Sequence, residues 1–187
     1  LRRLAPKDHE IVVVDRTPRF YVGAGKTWIM LGERTYDQIS TSRQSLLAPG
    51  TRFVESGVQR IGLSDRTVTV ESALLRWDHL VIALGADLDL RQVPGLAEAA
   101  HTFYTIEGAQ RLKAELERFS GGDVAILIPK VPFKCPPAPY EAAMLLHQAF
   151  ERRGLAGKTR ISIHTAEGVP MATAGPEMGQ YIQAELS

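Results

Sequence analysis

A single cysteine, Cys135, is present among 187 residues, so the chain has no internal disulfide. Disulfide frameworks are typical of small secreted domains, and a lone cysteine therefore favours a reducing compartment. No apolar run approaches the roughly 20 residues that a membrane-spanning helix requires. The formal net charge is only +1, and aromatic and basic residues are not interleaved, which excludes a typical nucleic-acid surface. What remains is an ordinary globular composition, with 44% hydrophobic and 23% charged residues.

The sequence also lacks the Gly-x-Gly-x-x-Gly turn whose backbone N–H groups hold a pyrophosphate at a helix N-terminus. Residues 10–15 nevertheless have the apolar pattern of a buried parallel strand that ends in an acid. At this position a Rossmann unit binds an adenosine ribose, so Asp15 is a candidate ligand; turn chemistry at a strand end is the alternative. Because the sequence opens on Leu1 without an initiator methionine, we interpret it as an internal segment of a longer protein. His79 has no second ligand at metal spacing, and we predict no metal site.

Between residues 17 and 86 the pattern changes three times. Residues 17–50 show little periodicity, and a long connection of this kind is typical of a site or an interface. Residues 51–70 alternate around a turn at 64–66, which predicts a small antiparallel meander. Residues 80–86 form an apolar run closed by small side chains, which predicts another buried strand. Pro94-Gly95 then marks a domain boundary, and we divide the chain into domains 1–98 and 99–187.

The second domain reads as alternating helices and strands. Thr105 can cap a helix that runs to about Phe119. Residues 124–128 predict a strand buried on both faces, residues 140–153 a helix that Gly154 ends, and residues 159–165 the next strand. A last helix spans residues 176–186. A strand, a helix and a strand in this order form a βαβ unit, so the sequence predicts an α/β fold with two Rossmann-like domains, both incomplete, and the meander inserted in the first.

The turn between the strand at 124–128 and the helix at 140–153 is the most informative segment. A nucleotide-binding turn at this position is rich in glycine, whereas five prolines here remove the N–H groups that a phosphate needs. The turn instead carries Cys135, directly after Lys134 and shortly before a helix start. The lysine and the helix dipole both favour the thiolate over the thiol. The alternative is that Cys135 is a small core hydrophobe.

Four stretches carry a family resemblance that runs along nearly the whole chain: IVVVDRTPRF, WDHLVIALGA, PFKCPPAPYEAAMLL and AEGVPMATAGPEMG. In this order they resemble the FAD-dependent pyridine nucleotide-disulfide oxidoreductases, within that superfamily the sulfide:quinone oxidoreductase and flavocytochrome c sulfide dehydrogenase branch. The Lys-Cys-Pro-x-Ala-Pro-Tyr-Glu pattern is the most specific of the four. The resemblance implies FAD in the first domain of the full-length protein, with Asp15 at the ribose and Val58 at the adenine through its backbone. It further implies that Ala83, Leu84 and Gly85 lie near the pyrophosphate and ribityl chain, and that Cys135 is the catalytic sulfur beside the flavin.

The function implied is an FAD-dependent oxidoreductase that passes electrons from sulfide, or another small reductant, through a cysteine sulfur to FAD and on to a quinone or cytochrome. The family mechanism uses a second cysteine, and this chain has only Cys135. The location implied is cytoplasmic, or peripheral on a membrane through regions outside this sequence. Two alternatives stay open. One is a non-catalytic segment that folds without cofactor, as a homodimer that covers an exposed sheet edge. The other is an NAD(P)H-dependent flavoprotein reductase.

Overall fold

The structure is a computed structural model in which residues 4–186 are described, and it has the predicted α/β fold class. The strands are β1 (Ile11–Asp15), β2 (Arg19–Tyr21), β3 (Ser40–Ser42), β4 (Thr51–Glu55), β5 (Val58–Gly62), β6 (Thr67–Val70), β7 (Ala73–Arg76), β8 (Gly122–Ile128) and β9 (Thr159–Thr165). The helices are α1 (Gly25–Met30), α2 (Tyr36–Ile39), α3 (Arg43–Leu46), α4 (Leu96–Ala99), α5 (Ile106–Arg118), α6 (Ala138–Arg152) and α7 (Pro176–Glu185). Short 3₁₀ turns lie at Leu90–Gln92, Ala156–Lys158 and Ala172–Ala174.

The chain forms two compact units. The first unit comprises the chain through Val22 together with Tyr36–Gly85, and the second comprises Gly23–Thr35 together with the chain from Ala86 onward. The segment that the sequence describes as irregular, residues 17–50, therefore contributes to both units. It contains two short strands, β2 and β3, paired antiparallel, and three short helices.

In the first unit, β1 pairs in parallel with β4, with Ile11 opposite Thr51 and Asp15 opposite Glu55. The strand prediction for residues 10–15 is confirmed. The assignment of residues 51–54 to the antiparallel meander is wrong, since these residues belong to the parallel pair. Alternation of apolar and polar residues along a strand indicates which face is buried but not which strand pairs with it. The sequence therefore could not show that residues 51–54 pair with β1.

The meander is a three-stranded antiparallel sheet in the order β5-β6-β7. Its central strand is the most buried, with Val70 2% and Val68 7% exposed. The third strand, β7, was not predicted because its sequence, ALLR, does not alternate. The small antiparallel sheet is nevertheless present as expected, in addition to the antiparallel pair β2–β3 and the parallel pairs.

The predicted buried strand at residues 80–86 is absent from the described structure. These residues have no regular secondary structure, and Val81, Ile82 and Leu84 are 71%, 59% and 67% exposed. A strand requires a neighbour to accept and donate its ladder hydrogen bonds, and among the described residues no strand pairs with this segment. The apolar composition of residues 80–86 therefore predicted a strand, but the described part of the chain provides no strand that pairs with it.

In the second unit, β8 and β9 pair in parallel in full register, from Gly122 opposite Thr159 to Ile128 opposite Thr165. Helix α6 connects them, which confirms the predicted βαβ order. The prediction that β8 is buried on both faces is wrong, because Leu127 is 52% exposed while Ile128 is 3% exposed. Within the described part of the chain, α6 packs on both β8 and β9 and leaves the opposite face of β8 open.

Helix α5 begins at the predicted cap, where the Thr105 hydroxyl accepts a hydrogen bond from the Gly108 amide at 3.0 Å. A Cβ at position 108 would lie 2.3 Å from the carbonyl oxygen of Thr102, so glycine is required there. The other end of α5 is held by Arg153, whose guanidinium donates to the carbonyl oxygens of Leu116 and Phe119, both at 2.6 Å. The Leu116 carbonyl also accepts from the Phe119 amide at 3.2 Å, so the arginine adds a second donor at this helix end.

The largest fully buried side chains are Met30 and Phe150, both in the second unit. Phe150 on α6 lies with its ring centroid 5.0 Å from that of Phe119, just after α5, and α1 packs against α5. Helix α6 ends as predicted, with Gly154 at φ +68°. None of the described helices is long and apolar enough to cross a membrane.

Candidate functional site

The turn that carries Cys135 runs from the end of β8 at Ile128 to the start of α6 at Ala138. Phe133, in the middle of the turn, packs against a buried cluster of Ile128, Tyr140 and Ile182. The prolines fix the backbone on either side, and the peptide bond before Pro132 is cis. The turn is thus fastened to the core through Phe133.

Cys135 is exposed, and its backbone is left-handed with φ +55°. This conformation is uncommon for a residue with a side chain and persists where surrounding contacts enforce it. Two donors meet its carbonyl oxygen: the amide of Ala138 at 3.0 Å and the hydroxyl of Tyr104 at 3.4 Å. The alternative reading of Cys135 as a buried core hydrophobe is excluded by its exposure, while its catalytic role stays a prediction.

Two lysines of the turn reach the crossover segment that follows residue 85. Lys134 donates from Nζ to the carbonyl oxygen of Ala86 at 3.1 Å, and Lys130 donates to the side chain of Gln92 at 2.8 Å. The ammonium group of Lys134, the neighbour that the sequence singled out, is therefore held in place by a backbone acceptor. The lysines tie residues 86–92 to the turn.

Lys26 on α1 is a second cation in this neighbourhood that the sequence did not indicate. Its pKa is lowered by burial and by the charge of Lys134, an effect that the nearby Cys135 opposes. Tyr104 was also missed; burial, and then the nearby Cys135, raise its pKa above the usual 10. Neither residue stands in a recognisable motif, since the fold brings both to Cys135 from distant parts of the chain.

In the first unit, Asp15 lies at the carboxyl end of β1, as predicted. Its Oδ1 accepts hydrogen bonds from the amide and the hydroxyl of Thr17, both at 2.9 Å, and its Oδ2 pairs with the guanidinium of Arg43 at 2.9 Å. A carboxylate offers about four lone-pair positions, so capacity for one further donor remains. The side chain of Asp15 is one-third exposed.

The parallel register places the end of β4 beside Asp15, and the Ser56 amide donates to the Asp15 carbonyl at 3.0 Å. Val58 begins β5 only three residues after Glu55, the register partner of Asp15. The structure thus places Asp15 and the residues that lead into Val58 at the carboxyl ends of the paired strands β1 and β4. A ligand of an α/β sheet lies at such carboxyl ends.

Ala83, Leu84 and Gly85 belong to the first unit, in the exposed segment that has no strand partner. Gly85 has φ +75°, a conformation that favours glycine. Among the described residues, no three His, Cys, Asp or Glu side chains are grouped as a metal site would require.

Comparison with known proteins bears on this arrangement. Residues 109–169, which include Cys135, match the family model of the central part of the sulfide dehydrogenase (flavocytochrome c) flavoprotein chain. The mitochondrial sulfide:quinone oxidoreductase of Mus musculus is 23% identical over 164 residues, which cover 84% of this chain and 36% of the mouse protein. Demethylphylloquinone reductase NdbB of Synechocystis sp. is 30% identical over 187 residues, which cover 95% of this chain and 44% of NdbB.

Among solved structures, the sulfide:quinone oxidoreductase of the hyperthermophilic bacterium Aquifex aeolicus is similar to this chain with a TM-score of 0.82 and 28% identity. The similarity covers 100% of this chain and 45% of the Aquifex chain. The chain thus spans less than half the length of the relatives it matches. Its central segment is matched to the sulfide dehydrogenase family, and most of its length is similar to sulfide:quinone oxidoreductases; these findings support the sulfide:quinone oxidoreductase-like branch of the FAD-dependent pyridine nucleotide-disulfide oxidoreductases for this chain.

Proposed function

We propose that this chain is part of an FAD-dependent oxidoreductase that oxidises sulfide at Cys135 and delivers the electrons to a quinone. The observation that carries the proposal is the exposed Cys135, held in a left-handed turn beside lysine side chains where a nucleotide-binding turn would have glycines. Such a turn cannot supply the N–H groups that a nicotinamide dinucleotide requires, whereas a positive environment suits an anionic sulfur.

The first unit has residues that fit the adenosine half of FAD. The carboxylate of Asp15 can accept one more hydrogen bond, as from a ribose hydroxyl, and Val58 follows shortly after the carboxyl end of the neighbouring strand β4. Ala83, Leu84 and Gly85 are exposed and are proposed to lie near the pyrophosphate and ribityl chain. The sequence supplies no Gly-x-Gly-x-x-Gly turn for the pyrophosphate, so the chain by itself is expected to bind FAD weakly.

The sulfur chemistry assigned to Cys135 balances as a two-electron oxidation. The thiolate and one hydrosulfide anion form a persulfide, release one proton and give up two electrons. FAD supplies the two-electron acceptor when it is bound. What the chain itself contributes is the position of the sulfur and the nearby positive charge of Lys134 and Lys26.

A quinone is the proposed acceptor because the named relatives act on quinones: the mouse and Aquifex proteins are sulfide:quinone oxidoreductases, and NdbB is a demethylphylloquinone reductase. The flavocytochrome c family, whose model matches residues 109–169, makes a cytochrome the alternative acceptor. The two are distinguished by supplying a soluble quinone or an oxidised cytochrome c to the reduced protein.

The proposal is tested on the protein purified in its natural full-length form, by following its visible spectrum. We expect a flavin absorption band that sulfide bleaches, and a Cys135→Ala variant that keeps the band but no longer responds to sulfide. A protein without flavin, or a Cys135→Ala variant that sulfide still reduces at the wild-type rate, would rule out the assignment. Cys135→Ser serves as the near-isosteric control and should behave as the alanine variant does.

An NAD(P)H-dependent quinone reductase is the second candidate, favoured by the 30% identity to NdbB. The same spectrum decides between them when NADH or NADPH replaces sulfide. We expect little bleaching by either nucleotide, since four prolines between β8 and α6, with Pro139 in the first turn of α6, leave few backbone donors for a pyrophosphate. Bleaching by NADH that survives the Cys135→Ala substitution would make the second candidate the better one.

A further inference from the structure

Tyr104 makes hydrogen bonds through its backbone amide and through its side-chain hydroxyl, and the second of these reaches the backbone of Cys135. Its amide donates to the hydroxyl of Thr102 at 3.1 Å, and the next residue, Thr105, caps α5. Its ring lies with its centroid 5.1 Å from that of Phe103. The side chain is half-buried, and its hydroxyl donates to the Cys135 carbonyl oxygen at 3.4 Å, across 31 residues of sequence.

The acceptor of this hydrogen bond belongs to the residue whose backbone is left-handed. Cys135 has φ +55°, and its carbonyl oxygen is shared between the Tyr104 hydroxyl and the Ala138 amide in the first turn of α6. A backbone conformation that is unfavourable by itself requires contacts that enforce it. The Ala138 bond comes from within the same turn, whereas Tyr104 fastens the turn to the start of α5.

The position of the Cys135 sulfur relative to nearby charges depends on this backbone. Lys134 and Lys26 are fixed by their own acceptors, the carbonyl oxygens of Ala86 and Gly23, at 3.1 Å and 2.7 Å. If the Cys135 backbone relaxes, its side chain turns while the two ammonium groups remain in place. The hydroxyl that holds the carbonyl therefore also controls how strongly the lysines act on the sulfur.

We propose that Tyr104 is a positioning residue for Cys135: its hydroxyl holds the left-handed turn so that the sulfur stays in the positive field of Lys134 and Lys26. The inference rests on the proposed function, in which Cys135 is the reactive sulfur. It adds to the site a residue outside the Cys135 turn, Tyr104. Loss of the Tyr104 hydroxyl is expected to lower the reactivity of the Cys135 sulfur toward anionic reagents even though Cys135, Lys134 and Lys26 are unchanged.

The test compares two alkylating reagents on the 187-residue chain, neutral iodoacetamide and anionic iodoacetate. Accessibility changes both rates together, so the ratio of the iodoacetate rate to the iodoacetamide rate reports the positive field at the sulfur. We expect this ratio to exceed that of N-acetylcysteine in the wild type and to fall about three-fold in Tyr104→Phe. Tyr181→Phe, a substitution of a 61% exposed tyrosine, is the matched control and should leave the ratio unchanged.

Two further variants make the result decisive. Lys134→Met removes one charge and should lower the ratio at least as far as Tyr104→Phe does. Tyr104→Met removes the ring as well as the hydroxyl; a ratio lowered in both Tyr104 variants supports the proposal, whereas a fall in Tyr104→Met alone assigns the effect to ring packing and overturns it. An unchanged ratio in Tyr104→Phe, or a wild-type ratio no higher than that of N-acetylcysteine, overturns it too. Alkylation needs no flavin, so a failure of sulfide to bleach the native protein would remove the proposed function and leave this measurement standing.

Discussion

Tyr140 combines deep burial with a hydrogen bond to a carboxylate, and this gives the stability of the second unit a defined pH dependence. The side chain is 3% exposed and donates from Oη to Glu167 in the loop after β9. Glu167 also accepts from the hydroxyl of Thr165 at 3.3 Å and from the amide of Ala172 at 3.2 Å. Burial, and then the hydrogen bond to Glu167, raise the pKa of Tyr140 above its usual 10.

A neutral tyrosine with a raised pKa stabilises the folded state at all pH values below about 10, where the unfolded residue begins to ionise. Above that pH the unfolded state loses its proton first, so the free energy of unfolding falls as pH rises toward the pKa of the folded residue. We expect Tyr140→Phe to lower this free energy by about 1–2 kcal/mol at pH 8 and to flatten its decline between pH 10 and 11. Urea unfolding at several pH values measures both effects.

The matched control for that prediction is Tyr181→Phe, since Tyr181 is 61% exposed. Other groups with shifted pKa values, Lys26 and Tyr104, are common to the wild type and both variants, so the difference between curves isolates Tyr140. A Tyr140→Phe curve parallel to that of the wild type above pH 10 would show that the pKa of Tyr140 is not raised in the folded state.

At the scale of single residues, the sequence identified what lies within a motif. Cys135 and Lys134 are neighbours in the chain, and Asp15 ends a recognisable strand, so local pattern was sufficient to select them. Lys26 and Tyr104 come to the same turn from positions 109 and 31 residues away from Cys135, which no local pattern encodes. The left-handed backbone conformation of Cys135 could not be predicted either, because no glycine at this position indicates it.

Among the elements, the three longest helices, α5, α6 and α7, and the β8–α6–β9 unit followed the sequence closely, because capping residues and helical periodicity are local signals. The short helices α1–α4 were not predicted. Thr105 starts α5 and Gly154 ends α6, as predicted. Strands were less predictable, since a strand forms only where a partner offers its hydrogen-bonding edge. For this reason residues 51–54 belong to the parallel pair with β1 and not to the predicted antiparallel meander, and residues 80–86 form no strand.

Hydrogen exchange tests the second of these findings directly. No backbone hydrogen bond of the described structure involves the amides of residues 80–85, whereas residues 124–128 pair with β9 along their length. We expect residues 80–85 to exchange at the rates of an unstructured peptide and β8 to be protected by at least about 100-fold. The measurement is hydrogen–deuterium exchange by mass spectrometry on the 187-residue chain, in which β8 is the internal control. Protection of residues 80–85 comparable to that of β8 would mean that the segment has found a strand partner.

For the whole molecule, burial is distributed unequally between the two units. Among the described residues, the buried hydrophobic side chains of the first unit are Ile39, Val68 and Val70, whereas the second unit contains Met30, Phe150 and all the other buried hydrophobic side chains. Because stability increases with the apolar surface removed from water, the second unit should be the more stable.

Each unit contains one tryptophan, and this allows the two stabilities to be measured separately. Trp28 lies on α1 in the second unit, and Trp77 follows β7 in the first, where its backbone amide bonds to the Arg66 carbonyl at 3.1 Å. A Trp28→Phe variant leaves Trp77 as the reporter of an unaltered first unit, and Trp77→Phe leaves Trp28 as the reporter of an unaltered second unit. We expect fluorescence of Trp77 to change at a urea concentration at least about 0.5 M below that for Trp28. Coincident transitions in the two variants would show that the units unfold as one cooperative body, and the unequal cores would then not determine separate stabilities.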